Sequence, residues 1–178
     1  KSAARFDFKK LEDLNGHYIR QLSDAELMAR IADYLPHATN GPATLTAFNS
    51  AGMEKLAAAL PSLKERAKTL PELVEGASYI IAERPLKLDD KASKLIDADA
   101  KATLAALLSK LAAVSDWQAA PLEAAVRAFA EETGAKLGKV AQPLRAALTG
   151  RSVSPPVFDV MAVVGRDEAL ARITDCIG

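Results

Sequence analysis

The side chains able to do covalent or acid–base chemistry are few and far apart. Cys176 is the single cysteine, and His17 and His37 are the two histidines. Nucleophilic catalysis needs a base poised beside its nucleophile, yet both imidazoles sit in the first quarter of the chain and the thiol near its end. Cys176 therefore reads as a small apolar residue on a last helix. Two histidines cannot build a histidine metal cluster without carboxylate help. The acidic pairs Asp89-Asp90 and Glu131-Glu132 read as solvated or capping groups, because adjacent helical residues point in different directions. A phosphate cradle needs a glycine-rich turn opening a helix, whereas Gly134, Gly138 and Gly150 are isolated helix-end glycines. No catalytic, cofactor or metal site is expected in this chain.

The elements that could position a binding surface are helices. With 178 residues, folding buries roughly 70% of the surface the unfolded chain exposes. Hydrophobic residues make up 49% of the chain but aromatics only 5%, and Ala and Leu dominate, which favours close-packed helices over a sheet. The expected fold class is all-α. Lys and Arg number 23, as do Asp and Glu, so no net field gathers a polyanion and any such site must be local. No long uncharged apolar stretch offers a membrane span, and Lys1 to Lys10 carries charges where a signal peptide needs apolar residues. A soluble, reduced, cytoplasmic setting is expected, without a membrane or DNA partner. Opening on Lys1-Ser2-Ala3-Ala4-Arg5 with no initiator Met, the chain is expected to be part of something longer.

Ser23-Asp24-Ala25-Glu26 is a capping box, followed by Leu27, Ile31 and Leu35 on one helix face. His37 to Pro42 reads as a loop, after which Asn49 or Ser50 caps a helix bearing Met53, Leu56 and Leu60. Pro61 marks a break. Thr69 precedes a helix with Pro71 in its first turn and Leu73, Ala77, Ile80 and Ile81 inward, ended by Arg84-Pro85-Leu86. The alternating charges from Arg84 to Asp97 suggest a boundary, giving segments 1–22, 23–88 and 89–178. Asp97 caps the clearest helix, with Leu104, Leu107, Leu108, Leu111 and Val114. Ser115-Asp116 opens the next, with Leu122, Val126 and Phe129 inward and Gly134 at its end. Because Pro143 is tolerable only near a helix start, the following helix is expected from Gly138 or Lys139 to Leu148, closed by Gly150. A stiff connector spans Ser152 to Pro156. Phe158 to Val164 forms a short apolar helix, and a last helix with Leu170, Ile173 and Ile177 follows Gly165.

Two segments carry a family resemblance. Arg5-Phe-Asp-Phe-Lys-Lys-Leu-Glu-Asp-Leu-Asn-Gly-His-Tyr-Ile-Arg20 resembles the Phe-Asp-x-x-Lys-Leu-x-x-x-Asn-Gly-x-Tyr-Ile-Arg signature that follows the catalytic part of glutamyl-tRNA synthetases. Lys136 to Gly150, followed by Ser154-Pro155, Phe158-Asp159 and Gly165-Arg166, is similar to that family's anticodon-reading end. With the Lys64 to Leu73 stretch between them, the likeness spans nearly the whole chain in order. It implies two all-helical anticodon-binding subdomains behind a stem-contacting segment. The implied parent is a cytoplasmic, monomeric class I ligase that uses ATP and Mg2+ to attach glutamate to tRNA(Glu). Its catalytic part and both ATP motifs are missing here, so no catalytic residue and no cofactor are assigned to this chain.

What the resemblance does carry over is binding. It implies that Arg145 reaches an anticodon base or phosphate, with a guanidinium fork suited to both. Gln142, one helical turn earlier, offers an amide that donates and accepts. Ser154-Pro155-Pro156-Val157, with Ser154, Pro155 and Val157 as the expected contacts, matches a loop that packs on splayed bases; the same stretch would also serve as a plain helix linker. Arg66 matches the position at which arginine marks enzymes accepting only tRNA(Glu) and glutamine marks those also accepting tRNA(Gln). On that likeness Arg66 favours cytosine over guanine as third anticodon base, the alternative being contact with phosphate or solvent. Asn15, Tyr18 and Arg20 match the segment near the stem of the anticodon arm. For Tyr18 and Ile19 a core role is expected instead; His17 is expected as an exposed turn neighbour, and Asp13 stands where the family commonly has an aromatic. Local cations, namely Arg20, Lys64, Arg66 and Lys68, then Lys136, Lys139, Arg145 and Arg151, would meet RNA. The competing class is a helical protein-interaction scaffold, or a paralogue that has lost RNA binding.

Overall fold

The computed structural model describes residues 7–38 and 41–178. Among the described residues all regular structure is helical and there is no strand, so the fold is all-α. Two compact units divide between Ser78 and Tyr79.

The first unit holds α1 (Phe8–Gln21), α2 (Asp24–Tyr34), a 3₁₀ turn (Leu35–His37), α3 (Gly41–Ala47), α4 (Ser50–Lys64) and α5 (Leu70–Gly76). The capping box at the start of α2 forms in full: Ser23 Oγ accepts from the Glu26 amide at 3.3 Å and the Glu26 carboxylate accepts from the Ser23 amide at 2.9 Å. Leu27, Ile31 and Leu35 are fully buried beneath it.

Several local expectations give way to packing. The 37–42 segment is not all loop, since Gly41 and Pro42 open α3; Asn40 lies outside the described residues. A first-turn proline is compatible with a helix because the N–H it lacks has no helical partner there. Only glycine fits at 41, where a Cβ would lie 1.9 Å from the Leu35 carbonyl oxygen. Pro61 does not break α4, whose buried face of Leu56, Ala59, Leu60 and Leu63 runs unbroken across it. Asn49 caps that helix by accepting from the Gly52 amide at 3.0 Å. Thr69 caps α5 as expected, but α5 stops at Gly76 and a second 3₁₀ turn (Ser78–Ile80) follows.

No helix was expected over Phe8–Gln21. It exists with only Gly16 and Ile19 buried, while Phe8, Leu11, Leu14 and Tyr18 face outward. Tyr18 is 58% exposed, against its expected core role. Neighbouring helical residues are turned about 100° apart, and Ile19 takes the inward place in register with Gly16. His17 is exposed, as expected, but within the helix and not at a turn.

The second unit contains α6 (Asp90–Ser93), α7 (Ala98–Ala112), α8 (Ala119–Glu132), α9 (Leu137–Thr149), α10 (Val157–Val164) and α11 (Arg166–Ile177). Asp97 caps α7 through the Ala100 amide at 2.8 Å, and Leu104, Leu107 and Leu111 form part of a core shared with α8 to α11. Helix α8 starts at Ala119, later than Ser115-Asp116 suggests. The cause is tertiary: the Trp117 indole donates to the Met161 carbonyl at 2.9 Å, and the Arg166 guanidinium lies 5.9 Å from its ring centroid. Helix α9 begins at Leu137 and carries a buried Pro143 inside it. It ends at Gly150 with φ +71°, where a Cβ would meet the Lys87 carbonyl oxygen at 2.6 Å.

A buried arginine closes this unit. Arg172 is 3% exposed and donates to the carbonyls of Tyr79 at 2.9 Å and Leu148 at 2.8 Å, and to the Glu168 carboxylate at 2.7 Å. Arg84 adds a bidentate pair with Asp175, both contacts at 2.8 Å. Residues 79–84 are thus laced to α11. Among the described residues no helix is long and apolar enough to cross a membrane.

Candidate functional site

Two clusters of the expected binding residues form, one in each unit. In the first, Arg66 occupies the turn between α4 and α5, with its backbone N–H on the Leu63 carbonyl at 3.1 Å and its side chain exposed. No partner of its guanidinium is found among the described residues. Lys64 and Lys68, expected to face RNA, are engaged within the protein: Lys64 pairs with Asp24 at 2.7 Å and Lys68 with Asp13 at 2.5 Å. The hydrogen bond from Lys68, then its charge, holds the Asp13 carboxyl below the usual carboxylate range, and the same contact raises Lys68. Asp13 thus has an ionic task.

Asn15 turns toward the protein and donates from Nδ2 to the Lys68 carbonyl at 2.5 Å. Gly16 is buried beside it. Arg20 lies exposed in the last turn of α1. The Asn15-Gly16 pair therefore sits against the turn that carries Arg66, a relation that sequence spacing could not reveal because 53 residues separate Asn15 from Lys68.

The second cluster joins α9 to the connector before α10. Arg145 Nη1 donates to the Ser154 carbonyl and hydroxyl oxygens, each at 3.0 Å, and to the Pro155 carbonyl at 3.2 Å. Ser154 Oγ in turn donates to the Pro155 carbonyl at 2.7 Å. Thr149 locks the preceding corner, donating to the Arg145 carbonyl at 2.8 Å and accepting from the Arg151 amide at 3.2 Å. Ser154, Pro155 and Val157 are consequently buried, while Val153 is 72% exposed and Pro156 is exposed. Gln142 is exposed on α9 one turn before Arg145.

So the structure brings Arg145, Ser154 and Pro155 together as one braced corner, with Gln142 on the adjoining helix face. Val153, which the sequence does not single out, and Pro156, read only as part of the stiff connector, are its outward residues. Arg166 was noted only within a motif. It caps α7, donating to the Val114 carbonyl at 3.0 Å and to the Ala112 carbonyl.

Nothing in either cluster is arranged for bond making. Among the described residues no three His, Cys, Asp or Glu side chains are grouped to hold a metal ion. Cys176 is half-buried and burial pushes its thiol up, away from the thiolate that a nucleophile requires.

The first unit offers an exposed guanidinium on a pinned turn, and the second, separately, a braced, proline-stiffened corner beside an amide; each has the polar, helix-mounted character of a binding surface. The chain belongs to the anticodon-binding domain family, whose model matches residues 26–177. It is 57% identical over 175 residues to the glutamate–tRNA ligase of Azorhizobium caulinodans, covering 98% of this chain and 37% of that protein. With glutamate–tRNA ligase 1 of Beijerinckia indica it shares 53% identity over 178 residues, 38% of that relative's length. The chain thus spans well under half the length of these curated relatives. In fold it matches a crystal structure of a glutamate tRNA ligase from Elizabethkingia meningosepticum with a TM-score of 0.76 at 23% identity, covering 99% of this chain and 33% of that one.

Proposed function

We propose that this chain is the anticodon-reading part of a glutamate–tRNA ligase and that it binds the anticodon arm of tRNA(Glu). The observation that carries the proposal is the Arg145 corner. A loop already fixed by three hydrogen bonds from one guanidinium meets RNA with little ordering left to do. Unstacked bases would pack on the outward side of that connector, with the Gln142 amide within reach of their edges. Lys136, Lys139 and Arg151, near the ends of α9, would meet phosphates.

Arg66 is assigned the third anticodon base. The Watson–Crick edge of cytosine presents two acceptors, N3 and O2, which suit a donor-only guanidinium. The same edge of guanine presents one acceptor, O6, beside the N1–H and N2–H₂ donors, so Arg66 meets fewer acceptors there than on cytosine, whose edge carries a single donor, the N4 amine. On this reading the chain favours tRNA(Glu) over tRNA(Gln). Arg20, at the end of α1, is placed nearest the stem.

The parent enzyme would act in the cytoplasm as a monomer and use ATP and Mg2+. The residues of this chain do not fit those ligands: its positive-φ glycines, Gly134, Gly150, Gly165 and Gly178, end helices, and no carboxylate cluster is available among the described residues. No step of aminoacylation is assigned to it. A scaffold that docks proteins would have no use for the corner of Arg145, Ser154 and Pro155 beside Gln142.

The test is a binding titration of the 178-residue chain with labelled anticodon stem-loops of glutamate and glutamine tRNAs. Tighter binding of the glutamate loop, with the preference reduced by Arg66→Gln, is expected. Affinity should fall with salt as for a few phosphate contacts. Equal binding of an unrelated stem-loop would overturn the proposal.

A further inference from the structure

We infer that Asn15 and Gly16 are positioning residues for anticodon selectivity, acting by locking the turn that carries Arg66 and not by touching RNA. The inference rests on the reading of Arg66 as the group that selects the third base. Helices α4 and α5 are joined by only five residues, Glu65 to Thr69, with the Arg66 side chain exposed on them. Selectivity between cytosine and guanine depends on the direction from which the guanidinium approaches, so whatever fixes this backbone fixes the selectivity.

Lys68, two residues beyond Arg66, is held at three separate groups. Its carbonyl accepts from Asn15 Nδ2 at 2.5 Å, its ammonium pairs with Asp13 at 2.5 Å, and its amide donates to the Glu72 carboxylate at 2.8 Å. Gly16 lets α1 lie directly on the turn: a Cβ there would come within 3.2 Å of Lys68 Cα and 3.3 Å of its Cγ, tighter than packed carbons accept. Ala67, between Arg66 and Lys68, is buried at 4% exposure. The turn is therefore clamped from α1 on one side and from the first turn of α5 on the other, with the Arg66 side chain exposed on it. Asn15 donates into the protein, which separates it from the role of an RNA contact.

Loosening this clamp has a signature distinct from losing a contact. A mobile Arg66 can follow either base, so discrimination falls while affinity for the guanine-bearing loop holds or rises. The experiment measures binding of the 178-residue chain to two stem-loops that differ only in cytosine or guanine at the third anticodon base. It uses the wild type, Asn15→Ala, Arg66→Ala and the double variant, together with amide hydrogen exchange at residues 66–69. Asn15→Ala should lower the cytosine-to-guanine affinity ratio by roughly 2- to 12-fold, the span of one net hydrogen bond, and speed exchange in the turn. The double variant should match Arg66→Ala. Because the Asp13–Lys68 pair is exposed, Asp13→Asn loosens the clamp without threatening the fold, and it should give a smaller fall in the ratio.

An unchanged ratio in Asn15→Ala, with the ratio lost in Arg66→Ala, overturns the clamp and leaves the Arg66 reading standing. Equal weakening of both loops by Asn15→Ala, repeated on the Arg66→Ala background, makes Asn15 a direct RNA contact and also overturns it. A lowered ratio without faster exchange at 66–69 does the same. If Arg66→Ala itself keeps the ratio, the underlying reading of Arg66 fails and the inference goes with it.

Discussion

Arg145 grips Ser154 twice, donating from one nitrogen, Nη1, to its carbonyl and to its hydroxyl oxygen at 3.0 Å each. The arginine assigned to RNA is thus also the brace of the loop beside it. Arg145→Lys keeps the charge but loses the planar fork. It is expected to weaken stem-loop binding by about 1–3 kcal/mol and to speed amide exchange across residues 151–154. Gln142→Ala should weaken binding and leave that exchange as it was. Anisotropy titrations paired with exchange measurements separate the two effects.

Arg172 is the residue on which the second unit's stability turns. Arg172→Met leaves the carbonyls of Tyr79 and Leu148 buried without their donor, at about 1–3 kcal/mol for each such group. A loss of about 3 kcal/mol is expected, seen as a urea midpoint lowered by roughly 1–2 M. Trp117 is the single tryptophan and lies in this unit, so its fluorescence reports the transition.

Gly150 and Gly134 both have positive φ, +71° and +67°, yet they should respond unequally to alanine. At Gly134 a Cβ meets nothing within 4 Å, leaving only the left-handed backbone cost of about 1–2 kcal/mol. At Gly150 the new carbon also collides with the Lys87 carbonyl and disturbs the Asp89 amide bond to the Gly150 carbonyl at 2.9 Å. Thermal melts should place Gly150→Ala clearly below Gly134→Ala.

Asp175 supplies a pH dependence of definite sign. Its bidentate hydrogen bonds from Arg84, and then the arginine's charge, hold its carboxyl below the ordinary value of 3.8. The unfolded chain therefore takes up the proton first as pH falls. The pair's stabilisation is fully present above pH 3.8 and is lost as pH drops through the depressed value. The melting-temperature difference between wild type and Asp175→Asn should stay constant from pH 8 to about pH 5 and close only under strong acid.

Local signals in the sequence carried much of the fold, because they act within a few residues. Ser23 with Glu26, Thr69 and Asp97 each announce a helix start through a side chain that satisfies a nearby amide, and each does so here. Pro61 misled where packing overruled propensity, as it lies inside a helix whose buried face continues past it, whereas Pro143 led to a helix start within two residues of the observed one. Helix α1 was unexpected although Asp7 caps it and Phe8, Leu11 and Tyr18 recur at helical spacing, and those larger apolar residues face outward. The site was legible as residue types but not as contacts. For Arg172 only the local pair with Glu168 was legible, since its other partners include backbone carbonyls from 24 and 93 residues away. Asn15 drew notice as part of a motif, while its partner, the Lys68 carbonyl, belongs to a distant turn.

The connector before α10 sorts its residues by direction, with Ser154, Pro155 and Val157 inward and Val153 and Pro156 outward. That sorting divides one short stretch between two kinds of selection. The inward set is constrained by folding, whereas the outward pair can drift or be retuned at little risk to the scaffold beneath. A library randomised at 153 and 156 alone should yield mostly folded proteins, and among them variants whose taste in RNA has changed.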